Sequence, residues 1–554
     1  MGEVISLDGN EKKWVCLSFA LAFLAMIFFY FATLTKVTSI PADAQFGLLS
    51  VISPLWFISY ALIIISVLII IFKTKKEAFF LLILFLFLIV LYGAGVFGEE
   101  LPRAHDTYWH TGAALRLIDN GMLDFSNYLD LNNYYEEYTV QYVSQSPGAF
   151  LVISNMILLT GAEDYIFTFL YLIPILLITI IAFMNYVMFK RFFEQKIAAI
   201  LTLILFTLNV YFQWHISPFA IGLILFPLII TFLFRPKNNI EKYLGYGLLI
   251  LLAICSLPLL LIIVLIVLLD WILCKIKGIR SKIIIQEILI VILIILTILF
   301  LLNLGGIITE LTQSFQTGTQ KTMAYASTSS ILSSFPGVLK AAVLISFMLI
   351  IGILFIKDYN KITENEIFII SFLITAAIFF IFQFSISPRF SLVDRAYFIF
   401  FYGVALFIGQ LIKRKEKIIV RILTLIFILA IINSLTLYAY EGNNIFSDTT
   451  ISSYEYLYEI SNENDLIFGA KDSYSMSIMS LENFRKVNFN TQVSDFFLEQ
   501  KTKYDLFFIN TKTNILADIY GYEENYSVLI DYLNQSAEVN LIYNNNNSKV
   551  YSNN

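Results

Sequence analysis

One acidic side chain in this sequence stands where it could move a proton. The run Leu101–Gly121 reads LPRAHDTYWHTGAALRLIDNG, with Asp106 flanked by His105 and followed four residues later by His110. Residues four apart share a helix face, so a helix opening here would carry Asp106 and His110 together near its start. A carboxylate held at the rim of a cavity can take the proton of an incoming hydroxyl. Asp with His at this spacing can also hold a divalent metal, the one cofactor this pattern admits. The same spacing would equally suit an Asp that caps a surface helix, with the histidines at an interface.

Positioning that side chain needs a start and a stop, and both are present. Pro102 breaks the preceding apolar run. Asp106 or Thr107 can cap a helix, Ala113, Ala114, Leu115, Leu117 and Ile118 supply an apolar face, and Gly121 ends it. What surrounds this helix follows from composition. The 554 residues are 58% hydrophobic, 16% aromatic and only 14% charged. A soluble domain carries about a quarter charged residues, so the expected class is an α-helical polytopic membrane protein. A net charge of −5 offers no basic surface for nucleic acid. Three cysteines in or beside apolar runs imply no disulfide framework.

A span needs roughly 20 apolar residues. The sequence predicts thirteen, near 14–34, 51–72, 78–97, 165–189, 197–212, 217–234, 243–256, 258–273, 283–302, 337–356, 366–386, 396–412 and 418–438. The short pair 243–256 and 258–273, meeting at Cys255-Ser256-Leu257-Pro258, also reads as one hairpin that does not fully cross. The first span lacks a small-residue cleavage site and reads as an anchor. With the N-terminus inside, 22 of the 36 Lys and Arg fall in inner loops, 7 in outer loops and 7 in the tail. That asymmetry sets N-terminus in, C-terminus out. It also makes 148–160 a short helix in or on the outer face, because a full span there would carry Lys190 and Arg191 outside. The expected division is a transmembrane domain over 1–439, its outer loop spanning 99–161, and a small extracytoplasmic α/β domain over 440–554. The tail shows a helix-like stretch Ser452–Ser461 and strand-like runs at Leu466–Gly469, Lys486–Asn490, Asp505–Asn510 and Leu541–Asn544. Lys549–Ser552 closes a hairpin across an Asn turn.

After Asp106 the outer loop runs through Asp124, Tyr128, Tyr134, Tyr135, Glu136, Glu137, Tyr138 and Tyr142, then Ser146-Pro147-Gly148 and the short apolar helix. An acidic residue opening an interfacial helix, a Tyr/Pro element, a helix at the membrane surface, many later spans and an outer C-terminal domain resemble the GT-C fold. That fold belongs to integral membrane glycosyltransferases that use polyprenyl- or dolichyl-phosphate sugars, the protein-mannosyltransferase-like members included. The resemblance implies an inverting transfer of a sugar from a polyprenyl-phosphate-linked donor to a glycan, lipid or protein acceptor. Asp106 would be the general base or a metal ligand, and the site would face the extracytoplasmic side of the cell membrane. The pattern departs from the family in three places. The adjacent Asp-Glu of the protein O-mannosyltransferases is His105-Asp106-Thr107 here, the Trp-Trp-Asp-Tyr-Gly run of the oligosaccharyltransferases is missing, and two spans precede the usual first one.

A lipid-phosphate leaving group needs cations at the outer face, where Lys and Arg are scarce. Arg389 and Arg395 in the short loop Ser387–Arg395 are the first candidates, with Asp394 orienting one of them, and Arg103 is third. The other reading is snorkelling with an Asp394–Arg395 surface pair. His105 and His110 are supporting residues. Glu99-Glu100 reads as a solvated loop start or a second acid, His215 as an interfacial histidine or a cavity residue, and Asp270 as snorkelled or paired. Three Asn-x-Ser triplets occur, at Asn525, Asn534 and Asn546. No Gly-rich phosphate loop, paired CxxC or serine-nucleophile motif occurs. Two competing classes are a multi-span transporter or flippase, disfavoured by span centres nearly free of charge, and a surface-polysaccharide polymerase or ligase relying on outer Arg and His.

Overall fold

The apolar runs become helices because their interior positions are Leu, Ile, Phe and Ala without interior breakers beyond two prolines. In the computed structural model, helices α1 (Gly9–Leu34), α2 (Leu55–Lys73), α3 (Glu77–Tyr92) and the short turn α4 (Ala94–Phe97) come first. Next are α5 (His105–Asn120), α6 (Pro147–Thr160), α7 (Ile166–Phe192), α8 (Gln195–Leu208), α9 (Pro218–Phe234), α10 (Asn239–Cys255), α11 (Leu257–Ile276), α12 (Glu364–Gln383) and α13 (Leu392–Arg414). The structure describes residues 9–37, 40, 46–74, 76–99, 105–120, 146–208, 215–278, 364–383, 392–414 and 428–435. In the tail it describes five strands, helical residues around 456–460 and 531–535, and Asp505. The expected spans 283–302 and 337–356, and most of 418–438, lie outside the described residues.

Among the described residues, four helices are long and apolar enough to cross a membrane: Gly9–Leu34, Leu55–Lys73, Ile166–Phe192 and Pro258–Ile276. Their outer faces carry Phe23, Tyr30, Phe31, Phe57, Phe72 and Leu172, all exposed. Such surfaces suit lipid rather than water. Where helices meet, small and hydroxylated residues let them approach. On α1 the buried stripe is Ser18, Ala22, Ala25, Phe29 and Ala32. Ser18 and Ser66 pair across to α2, hydroxyl to hydroxyl at 2.8 Å, each also 2.9 Å from the other's carbonyl. Ser59 donates to the Ala25 carbonyl at 2.7 Å.

The ends expected to share a side do share an end of the bundle. Lys73 lies over the Trp14 ring, Lys196 over Phe72 and Arg235 over Phe192. Lys190 pairs with Glu77, and Arg191 with Glu241. These contacts join α1, α2, α3, α7, α8, α10 and the residue after α9 at one end. At the other, the Val37 amide donates to the Gly98 carbonyl at 2.8 Å, and Val37 and Glu99 form an isolated parallel bridge.

The pair around Ser256 forms two separate helices: the Ser256 amide still bonds the Leu252 carbonyl, and its own carbonyl accepts from Leu260. Pro258 then opens α11, which suits a position where its missing N–H would be unused. Asp270, only 5% exposed, is engaged inside the bundle rather than snorkelled to the surface.

The tail forms a five-stranded sheet in the order β2-β1-β3-β5-β4, from Leu466–Gly469 (β1), Asn488–Asn490 (β2), Leu506–Asn510 (β3), Val539–Asn544 (β4) and Ser548–Asn553 (β5). β1 runs parallel to β2 and β3, whereas β5 is antiparallel to β3 and β4. Tyr456 stacks on Tyr543 at 4.5 Å and donates its hydroxyl to the Ile542 carbonyl, at the β4 irregularity. Leu457, Leu506 and Val550 are buried in the same apolar cluster as Tyr108, Leu115, Ala149 and Ile153 of α5 and α6.

Candidate functional site

The site is built on α5. Its inner face is Thr107, Tyr108, His110, Thr111, Ala114, Leu115 and Leu117, all buried. The spacing is helical, and the half nearest Asp106 is polar. α6 backs this face. Pro147 stands in its first turn, and Gly161, at φ +60°, ends it in a left-handed conformation that glycine adopts without strain. Ser154 of α6 donates to the Ala114 carbonyl at 3.0 Å, and the His110 ring lies 5.7 Å from the Phe150 ring. Gly148 fits against the end of α10. A Cβ there would stand 2.8 Å from Ile254 Cγ2 and 3.1 Å from Cys255 Sγ.

One further contact fixes the first turn of α5. The Ile216 amide donates to the Thr107 hydroxyl at 3.2 Å. Next to it, Ser217 caps α9 by accepting from the Ala220 amide at 3.1 Å. Phe219 at the start of α9 then meets Phe398 of α13 edge-on at 5.9 Å. Phe398 lies one turn after Arg395. The start of α13, with Asp394 and Arg395, therefore lies at the same end of the bundle as the start of α5, with His105 and Asp106. His215 sits partly buried beside Ile216, which brings the third histidine to this end as well. Arg103 and Arg389 lie outside the described residues.

The helix starts at His105, beside the expected Asp106 and ahead of both residues expected to cap it. Asp106 is inside the first turn, and Thr107 serves Ile216 rather than its own helix. Glu99 corrects a second expectation, because it is wholly buried, at 0% exposure, instead of solvated. Sequence reasoning also missed Tyr108 and Thr111, and took Thr107 only as a cap candidate. A helix whose buried face includes polar groups looks inverted when only the apolar positions are read. A usable signal was Glu99 itself, a charge placed directly after the apolar run that ends at Gly98.

The serines Ser18, Ser59 and Ser66 of the spans bond between helices, whereas the span threonines turn back on their own helix. Buried Thr33, Thr179, Thr202, Thr207, Thr231, Ser371 and Thr375 each return the hydroxyl to a carbonyl four residues back in their own helix. On α5, Thr107 reaches another segment, and the Thr111 hydroxyl finds no hydrogen-bond partner among the described residues. Tyr108, also at 0% exposure, has its phenol held well above the usual value, first by burial, then by the neighbouring Tyr171 and Glu99. On the loop after α1, partial burial lowers Lys36, whose ammonium donates to the Phe97 carbonyl.

Among the described residues, no three His, Cys, Asp or Glu side chains gather as a metal site. Asp106 and His110 alone are one short of the three protein ligands that catalytic zinc sites use, and His110 is packed against Phe150. Compared with known proteins, the chain matches no protein family and no curated protein.

Proposed function

We propose that the chain is a lipid-linked sugar transferase of the GT-C type, with thirteen spans, its N-terminus inside and its tail and active site on the extracytoplasmic face. The observation that carries this reading is the first turn of α5. It opens with Asp106 next to a buried polar face, at the same end of the bundle as the start of α13 with Arg395.

In this reading Asp106 accepts the proton of the acceptor hydroxyl as its oxygen attacks the anomeric carbon of the donor. The bond from that carbon to the phosphate oxygen breaks, and its electron pair leaves on the lipid phosphate. Attack opposite the leaving group inverts the anomeric centre. Arg395, with Arg389 and Arg103, takes up the charge that develops on the phosphate. No nucleotide motif is needed, because the donor is already activated on its lipid.

The test is release of polyprenyl phosphate from a panel of polyprenyl-monophosphate sugars by the full chain in proteoliposomes. Asp106→Asn should lower turnover at least about a hundredfold, the range of a lost general base. Arg395→Ala should weaken use of the donor. Turnover that survives Asp106→Asn with modest loss would sink the reading in favour of an Arg-dependent ligase. Loss on chelation, restored by a divalent ion, would make Asp106 a metal ligand instead of a base.

A further inference from the structure

The end of the bundle away from α5 carries two kinds of cation. Lys190 is answered by Glu77, and Arg191 by Glu241. Lys73 and Lys196 are exposed, and among the described residues neither makes an ion pair. Each stands instead over an aromatic ring of a neighbouring helix. Lys73 Nζ lies 5.1 Å from the centre of the Trp14 ring of α1, and Lys196 Nζ 4.6 Å from that of Phe72 of α2. Phe72 and Lys73 are adjacent, so both ammoniums gather at the last turn of α2. The acids nearest along the chain do not answer them. Glu11 takes the Thr74 hydroxyl at 2.6 Å, Glu77 is paired with Lys190, and Glu194, exposed two residues before Lys196, pairs with neither. From this turn an apolar stripe leads back along α2. Ile58, Ala61, Ile65 and Phe72 recur at helical spacing, all exposed, and Phe72 keeps 54% of its surface open although Lys196 lies over its ring.

We propose that the last turn of α2, with Trp14 and Lys196, is a headgroup site for an anionic phospholipid. Lys73 and Lys196 hold the phosphate, and an acyl chain runs along Phe72, Ile65 and Ile58. Charge complementarity selects this occupant. A ring face orients an ammonium but cancels none of its charge, so two positive charges stand fixed beside an apolar stripe with no carboxylate to balance them. Lys12 and Lys13, exposed at the start of α1 just before Trp14, strengthen the same positive field. A zwitterionic headgroup would bring a further positive group to this place, whereas the phosphate of phosphatidylglycerol brings only the missing negative one. The site lies at the opposite end of the bundle from Asp106 and does not depend on the transferase reading.

Native mass spectrometry of the full chain, released from micelles with added phosphatidylglycerol or phosphatidylcholine, tests the site. The first phosphatidylglycerol should bind more tightly than phosphatidylcholine. Lys73→Gln with Lys196→Gln should weaken it about thirtyfold, and either change alone about fivefold, the effect of one lysine each at an anionic membrane surface. Lys73→Arg with Lys196→Arg should retain it. Lys237→Gln with Lys277→Gln removes the same charge from exposed positions at the same end and should bind as the parent chain does. In nanodiscs, replacing phosphatidylcholine by phosphatidylglycerol should raise the thermal midpoint of the parent and of this control pair, and leave that of the Lys73 and Lys196 glutamine pair where it was. Equal weakening by the two glutamine pairs would overturn the proposal, because the whole belt would then act as a diffuse field. Equal affinity of the parent chain for the two lipids would also overturn it. Inorganic phosphate that binds without lipid and needs both lysines would overturn the lipid as occupant.

Discussion

Directly after Asp106, Thr107 accepts from Ile216 of another segment, and Tyr108 is fully enclosed. The Tyr108 phenol has a testable signature. The fold keeps it protonated more firmly than the unfolded chain does. The stability this adds is therefore complete below its usual value of 10.0 and is lost as pH rises through the higher folded value. A chain with Trp109 as its sole tryptophan reports on the neighbouring ring, because a tyrosinate quenches indole emission. That emission should hold past pH 10 and fall only above it, and Tyr108→Phe should abolish the fall. A midpoint at the ordinary tyrosine value would mean the ring is in water.

At the scale of elements, α5 is only as firm as α6 beneath it. α6 is seated by Gly148, where a Cβ would meet Ile254 and Cys255 of α10. Gly148→Ala should cost about 1–3 kcal/mol through overpacking. The loss should show as a lower thermal midpoint and as faster exchange in both α5 and α6. A neutral substitution would mean that α6 can shift without cost and is not the support. The boundaries of α6 were legible beforehand. An apolar run of this length opened by Ser146-Pro147 and closed by Gly161 carries its own start and stop. The start of α5 was legible to within one residue for the same reason. Its polar buried face was not, since nothing in the run itself says that α7 and the segment before α9 lie opposite.

For the molecule as a whole, two layers meet at opposite ends of the bundle. One end gathers Lys73, Lys196 and Arg235 over aromatic rings, the arrangement of an interfacial belt. The other carries α5 and α6, and the tail is built into that layer through Leu457, Leu506 and Val550. Leu457→Ala removes a fully enclosed side chain at this junction and should cost about 2–5 kcal/mol. If the tail braces the candidate site, hydrogen exchange will quicken in α5 and α6 as well as in the sheet. A change restricted to residues beyond 440 would show that the tail and the site are energetically independent.

What the amino-acid sequence determined by itself was whatever depends on neighbours along the chain. Apolar runs, prolines and glycines located the described helices, and short apolar runs located β1 and β3 nearly to the residue. The placing of Lys and Arg set an expected sidedness, and some of the ends it groups together do touch, Lys190 with Glu77 and Arg191 with Glu241. Only the tertiary structure decided which polar groups are enclosed. Glu99, Thr107 and Thr111 look like surface residues in the sequence and are buried in the fold. Burial is a property of what packs opposite, and for these residues that is α7, the loop after α1 and the segment leading into α9, far away along the chain.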